Sequence, residues 1–129
     1  MWLIKLGGSL ITDKRQQQSY REAVVQRIAQ ELYTVRQQQP DLQLLIAHGS
    51  GSFGHFEAKK HGTAEGVETS DQWAGFAQVA VVAAKLNQLV AETFQHAGLP
   101  VMRFSPSASA IANKGSIRAM SLDALELAL

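Results

Sequence analysis

Cysteine is absent from the 129 residues. That excludes disulfides, thiolate metal sites and cysteine nucleophiles, and it fits a cytoplasmic chain. Charge of one sign is also missing. Twelve Lys and Arg stand against eleven Asp and Glu, for a net charge of +1, which gives no reason to expect nucleic acid or an anionic membrane as partner. Long apolar runs are lacking. In the second half the longest is Val79 to Ala84, too short to span a bilayer. The apolar N-terminus is interrupted early by Lys5 and Gly7-Gly8, so no signal peptide is read there. Histidines at metal-ligand spacing and acidic clusters are absent too, so no metal-ligating residue is expected. Repeats, linkers and a second domain are not visible, and the length suits one domain with a sizeable core.

What is present is an apolar run leading into small residues, twice. Leu42 to Ala47 runs into His48 to His55, HGSGSFGH, and Trp2 to Leu6 runs into Gly7-Gly8-Ser9. A strand that delivers a Gly/Ser loop can hold a phosphate on bare backbone N–H groups, and glycine there permits φ > 0 or close backbone approach. The run Trp2 to Leu6 reads as a strand buried on both faces.

Ser19 to about Gln38 is helical by period, with Tyr20, Val24, Ile28, Leu32 and Val35 on one face. Ser19 and Glu22 have capping-box spacing, and Pro40 ends the segment. His48 to His55 reads as a loop, and Phe56 to Ser70 as an excursion over the site with a helical turn at most. Asp71 to Ala97 reads as a long helix capped by Ser70 or Asp71, stopped by Gly98 and followed by Pro100. Val101 to Phe104 reads as a third strand, Lys114-Gly115 as a turn between short extended pieces, and Leu122 to Leu129 as a last helix capped by Ser121. Alternating strands and helices imply right-handed crossovers and an α/β fold: a three-layer αβα sandwich with a mainly parallel sheet. Ligands of such sheets sit beyond the carboxyl ends of the strands, where both glycine loops would lie.

Neither loop has the Walker pattern. Gly49, Gly51 and Gly54 satisfy G-x-G-x-x-G only in the bare sense, without a helix expected immediately after. Phosphoryl transfer fits better, because it needs in-line positioning and positive charge more than covalent chemistry. Lys5 and Lys14 could bracket a phosphate, His55 could donate to a second one, and Gly8, Ser9, Ser50 and Gly51 could offer N–H groups. Each has a plainer reading. Lys5 snorkels from a strand end, Lys14 is a solvated loop lysine, and His55 only caps its loop. His48 is structural, and Lys59, Lys60 and His61 form a solvated face. Ser9 and Ser52 have no evident base, which sets serine nucleophiles aside.

KLGGSLITDK (Lys5 to Lys14) and HGSGSFGH (His48 to His55) resemble the amino acid kinase superfamily. Within it, the GSFGH ending resembles the isopentenyl phosphate kinases and the related fosfomycin-resistance kinases. The resemblance covers the chain from residue 1 to its end. It implies ATP-dependent phosphorylation of isopentenyl phosphate to the diphosphate, with ATP and Mg2+ as cofactors and a small-molecule phosphate as substrate. Lys5, Gly7, Gly8 and Ser9 would contact ATP phosphates, and Gly51 would face the nucleotide. Lys14 would stabilise the transferring phosphoryl group. Ser50, by its N–H, and His55 would hold the substrate phosphate. Phe76, with Val79 and Ala83, would wall an apolar pocket for the isoprenoid tail. Ser50 stands where the family has glycine, which requires φ < 0. The resemblance further implies that residues 1–129 are one N-terminal lobe of a truncated fold, without the C-terminal half that holds adenine and ribose. A homodimer, or pairing with that half, would cover the exposed sheet edge and helix face. The alternatives are a kinase for another small acid or phosphonate, and a non-catalytic phosphate-binding or assembly module.

Overall fold

The computed structural model describes residues 1–113 and 115–129. Strand β1 (Trp2–Leu6) pairs parallel with β2 (Leu44–His48), in a register that sets Trp2 against Leu44, Ile4 against Ile46 and Leu6 against His48. A four-residue helix α1 (Gly8–Ile11) follows β1, and α2 (Glu22–Gln38) is the crossover to β2. After β2 come α3 (Gly51–His61), a 3-10 turn at Thr63–Glu65, and the long α4 (Ser70–His96). A second 3-10 turn at Pro106–Ala108 precedes an antiparallel hairpin of β3 (Ile111–Asn113) and β4 (Ser116–Ala119), and α5 (Asp123–Ala128) closes the chain. The expected turn at Lys114-Gly115 falls partly outside the described residues; Gly115 has φ +76°.

The core lies where α2, α3 and α4 meet one face of the parallel pair. Its fully buried members include Ile11, Val25, Ala29, Phe53, Leu86 and Phe94, with Ile4 and Ile46 packed against them from the sheet. Alternation along a strand sends neighbouring residues to opposite faces. Leu3, 67 % exposed, and Lys5 therefore share the other face with Ala47, and all three are open. The expectation that β1 is buried on both faces is corrected on this point, because the described helices cover only one face.

Other expectations are corrected at the level of local hydrogen bonds. Helix α2 begins at Glu22, not Ser19, and no side chain caps it. The Ser19 N–H donates to Ser52 Oγ and its carbonyl accepts from the Asp13 N–H, so its backbone is committed outside the helix. The buried stripe of α2 is Val25, Ala29 and Leu32, turned one residue from the expected Val24 face. The segment Gly51–His61 is helical although its composition reads as a loop and an excursion. Helix α4 is capped by Thr69, whose side chain and Gln72 form a reciprocal capping box, and it stops before Gly98 at φ +91°. Val101 to Phe104 forms no strand. Its first groups find local partners instead: the Val101 N–H donates to Leu99 O and its carbonyl accepts from Gln95 Nε2. At α5 the cap position is Leu122 rather than Ser121, though the Asp123 N–H lies 3.4 Å from Ser121 Oγ.

Within α4 an 18-residue window reaches a mean hydropathy of 1.3, so by length and composition alone the helix could cross a membrane. Unbroken runs understate it because polar residues interrupt them. One side of α4 is packed against α2 and α3, as in the core helix of a globular protein.

Tyr20 ties the start of α2 to α4. Its hydroxyl lies 2.7 Å from Thr93 Oγ1, which itself donates to Leu89 O. Burial pushes the phenol above its ordinary value near 10, opposed in part by the Thr93 contact. A raised pKa means that the folded state holds this proton more tightly. The contribution to stability is therefore whole below about pH 10 and is lost as pH rises through the folded value. Denaturant titrations on both sides of that window are expected to show a fall in stability at high pH that is smaller in Tyr20→Phe.

Candidate functional site

Two glycine turns meet at the carboxyl ends of β1 and β2. Gly8 opens α1, and a Cβ there would lie 2.7 Å from both the Cα and the N of Gly51. Gly51 opens α3 at φ +49°, and a Cβ there would collide with Thr12 Oγ1. The glycines thus serve close approach, and only Gly51 also needs the left-handed region. Gly7 does not: its φ is −61°, in extended backbone. Ser50 has φ −71°. A serine is therefore unstrained at a position where the resemblance led us to expect glycine.

The turns are fastened by Thr12, whose signal the sequence reading missed. Thr12 is fully buried; its hydroxyl donates to Gly8 O at 2.7 Å and accepts the Ser52 N–H at 2.9 Å. Ser52, also buried, accepts the Ser19 N–H on its own Oγ. One buried threonine and one buried serine thus bind α1, α3 and the entry to α2 into one piece. The available signal was a small hydroxyl residue in each glycine motif, but a partner forty positions away leaves no trace in local spacing.

The first N–H groups of each helix, those of Gly8, Ser9, Ser50 and Gly51, have no backbone or side-chain acceptor among the described residues. Helix starts leave such donors free for an anion. Lys14, Ser52, His55 and Phe56 line a cleft of about 330 Å³. The two expected catalytic residues, Lys14 and His55, are thus brought together, each exposed, one from the loop after Thr12 and one from the second turn of α3. Lys5 sits on the open sheet face opposite Ala47. Phe76 is not among the cleft residues. It lies on α4, 45 % exposed, edge-on to Trp73 with ring centroids 5.8 Å apart, and Phe56 is the aromatic residue of the cleft. Val79 and Ala83 are half-buried on α4.

Next to Lys14, Asp13 takes the Arg15 guanidinium on both oxygens, at 3.1 and 2.7 Å, and the Arg15 N–H as well. These bonds hold its carboxyl well below the usual carboxylate range. The pair keeps the acid engaged with Arg15 rather than with Lys14. His48, expected to be structural, places Nδ1 3.2 Å from Gly49 O. The expected solvated face holds for Lys59 and Lys60 but not for His61, which is packed against Gly75 of α4. Among the described residues no group of three His, Asp or Glu side chains is placed to hold a metal ion.

A parallel strand pair ends in two interlocked glycine turns, and a lysine and a histidine line one cleft. The family model of the amino acid kinase family matches residues 1–129, and the chain belongs to that family. Among its relatives is the isopentenyl phosphate kinase of Methanothermobacter thermautotrophicus, 32 % identical over 122 residues, which cover 91 % of this chain and 44 % of that one. The isopentenyl phosphate kinase of Methanocaldococcus jannaschii is 29 % identical over 111 residues, 81 % of this chain and 43 % of its own. A solved isopentenyl phosphate kinase structure superposes with a TM-score of 0.84 at 30 % identity, over 97 % of this chain and 52 % of that one. The fold is the α/β fold of these kinases, as the resemblance implied. The chain spans less than half the length of the two curated relatives.

Proposed function

We propose that this chain carries the acceptor-phosphate site and part of the phosphate cradle of an ATP-dependent kinase that converts isopentenyl phosphate to its diphosphate. The observation that carries this reading is the convergence of Lys14 and His55 on one cleft, which Ser52 and Phe56 of α3 also line. The acceptor is itself an anion, so attack on a nucleotide γ-phosphate brings like charges together, and cationic or donor groups must offset them. His55 and the Ser50 N–H hold the acceptor phosphate. Lys14 stabilises the transferring phosphoryl group. Lys5 and the N–H groups of Gly8, Ser9 and Gly51 meet the nucleotide's phosphates, and Gly7 sets the turn that presents them. Magnesium enters on those phosphates. Adenine and ribose fall to the part of the relatives' length that the 129 residues do not span.

The test is to supply isopentenyl phosphate, ATP and Mg2+ and to assay the diphosphate. Formation of diphosphate is expected. A folded protein spanning the full length of the relatives that makes none would refute the reading.

A second reading, a binding lobe that works only against another polypeptide surface, is favoured by the open face of β1 and by exposed apolar side chains on α4. Trp73 is 57 % exposed and Val81 69 %. Either a second copy or the remainder of a longer kinase would cover them. Sedimentation showing a monodisperse monomer would count against a homodimer.

A further inference from the structure

Helix α3 contains a buried carboxylate that plays no part in the reading above. Glu57 is 8 % exposed, and its Oε1 accepts a 2.7 Å hydrogen bond from Gln17 Nε2, forty residues earlier in the chain. Its Oε2 is buried without a hydrogen bond among the described residues, 3.5 Å from His61 Nε2 and 3.7 Å from Lys60 Nζ on the same helix. A buried charge is costly unless it is engaged, so its position calls for a role.

Two positions beyond His55, Glu57 lies about 200° further round the helix, so it does not face the cleft that His55 lines. What it touches is the loop that carries Lys14. That loop, from Asp13 to Ser19, is closed by the bond between its ends, Asp13 N–H to Ser19 O. It is attached to α3 at two points. One is Ser52, which receives the Ser19 N–H on Oγ and lies 3.4 Å by its carbonyl from the Gln18 N–H. The other is Glu57, through Gln17. Between them Gln18 holds φ +50°, a conformation that a non-glycine residue keeps only when its surroundings impose it. Its side chain accepts from Lys85 Nζ on α4 at 3.0 Å.

We propose that Glu57 is a positioning residue: through Gln17 it fixes the Lys14 loop to the helix that bears His55. The inference rests on the kinase reading and deepens it, because it supplies a second attachment of the Lys14 loop to the helix that bears His55. Without it the loop would be joined to α3 through Ser52 alone, at its Gln18–Ser19 end. Misplacement by about 1 Å is enough to slow a reaction about a hundredfold.

The experiment compares Glu57→Ala, Gln17→Ala and Glu57→Gln in the kinase assay, together with amide hydrogen exchange resolved by segment. Glu57→Gln keeps an acceptor oxygen for Gln17. Gln17 is exposed, so Gln17→Ala tests the tie even if Glu57→Ala fails to fold. The expected result for either alanine variant is about a tenfold fall in kcat with KM for isopentenyl phosphate within about threefold. Exchange should quicken over Asp13 to Gln18 and not in α2 or α4, and Glu57→Gln should stay near wild type on both counts. The proposal is overturned if exchange in the loop is unchanged in Gln17→Ala, or if it quickens throughout the core. Loss in Glu57→Gln equal to that in Glu57→Ala overturns it too. Absence of turnover in a folded protein spanning the relatives' full length would refute the kinase reading, while the exchange result still decides the tie.

Discussion

Gly51→Ala is expected to lower stability by on the order of 3–5 kcal/mol, enough to leave much of the protein unfolded. Two separate costs combine at this position. The backbone is at φ +49°, and a Cβ would collide with Thr12 Oγ1 and lie 2.8 Å from Gly8 O. The neighbouring glycines separate the two. At Gly62, φ is +63° with nothing within 4 Å of a built Cβ, so Gly62→Ala should show the backbone cost alone, about 1 kcal/mol. Gly8 has no positive φ, but its Cβ would meet Gly51 backbone at 2.7 Å. Gly8→Ala should therefore show the steric cost alone, about 1–3 kcal/mol. Urea midpoints at constant slope measure all three. A Gly51→Ala midpoint no lower than that of Gly62→Ala would mean that the two turns are not in contact.

The second large effect concerns rate. Lys14→Ala is expected to reduce kcat by roughly a hundredfold to a thousandfold, the usual loss when one group stabilising transition-state charge is removed. His55→Ala should raise KM for isopentenyl phosphate and lower kcat/KM by a similar factor, since it is proposed to hold the acceptor. Both side chains are exposed, so unfolding midpoints should move by no more than about 0.5 kcal/mol. Lys14→Arg should restore little, because a planar guanidinium does not replace a compact ammonium. If His55→Ala costs as much stability as activity, the histidine serves only to hold the turn in place.

Comparing expectation with structure shows which physics is local. The two parallel strands, helices α2 and α4 and the stop at Gly98 could be read because apolar period and glycine or proline punctuation are short-range signals. Lys14 and His55 were legible as a pair through motif resemblance. Helix α3 was not. Gly51 and Gly54 are poor helix formers; Gly51 is required by contacts with Thr12 and Gly8 far off in sequence, and Gly54 by the Ser50 side chain one turn before it. Thr12, Gln17 and Glu57 escaped notice, and Ser52 is weighed only as a nucleophile, because each acts on a partner distant in sequence. Val101 to Phe104 has the composition of a strand, but its first backbone groups are taken up locally by Leu99 and Gln95. Phe76, expected on the wall of an apolar pocket for the isoprenoid tail, lies outside the cleft that Lys14 and His55 line.

The contact between Gly8 and Gly51 also acts as a check on strand alignment. Leu6 opposite His48 is the register that brings these two residues face to face. A slip of one residue along β2 would put Ser50 or Ser52 opposite Gly8, with a Cβ where there is no room, and would turn the Ile46 face outward. Misaligned molecules are thus penalised at the turn as well as in the core. They also lack the joined helix starts, so a molecule able to grip phosphate is one whose strands have already paired correctly.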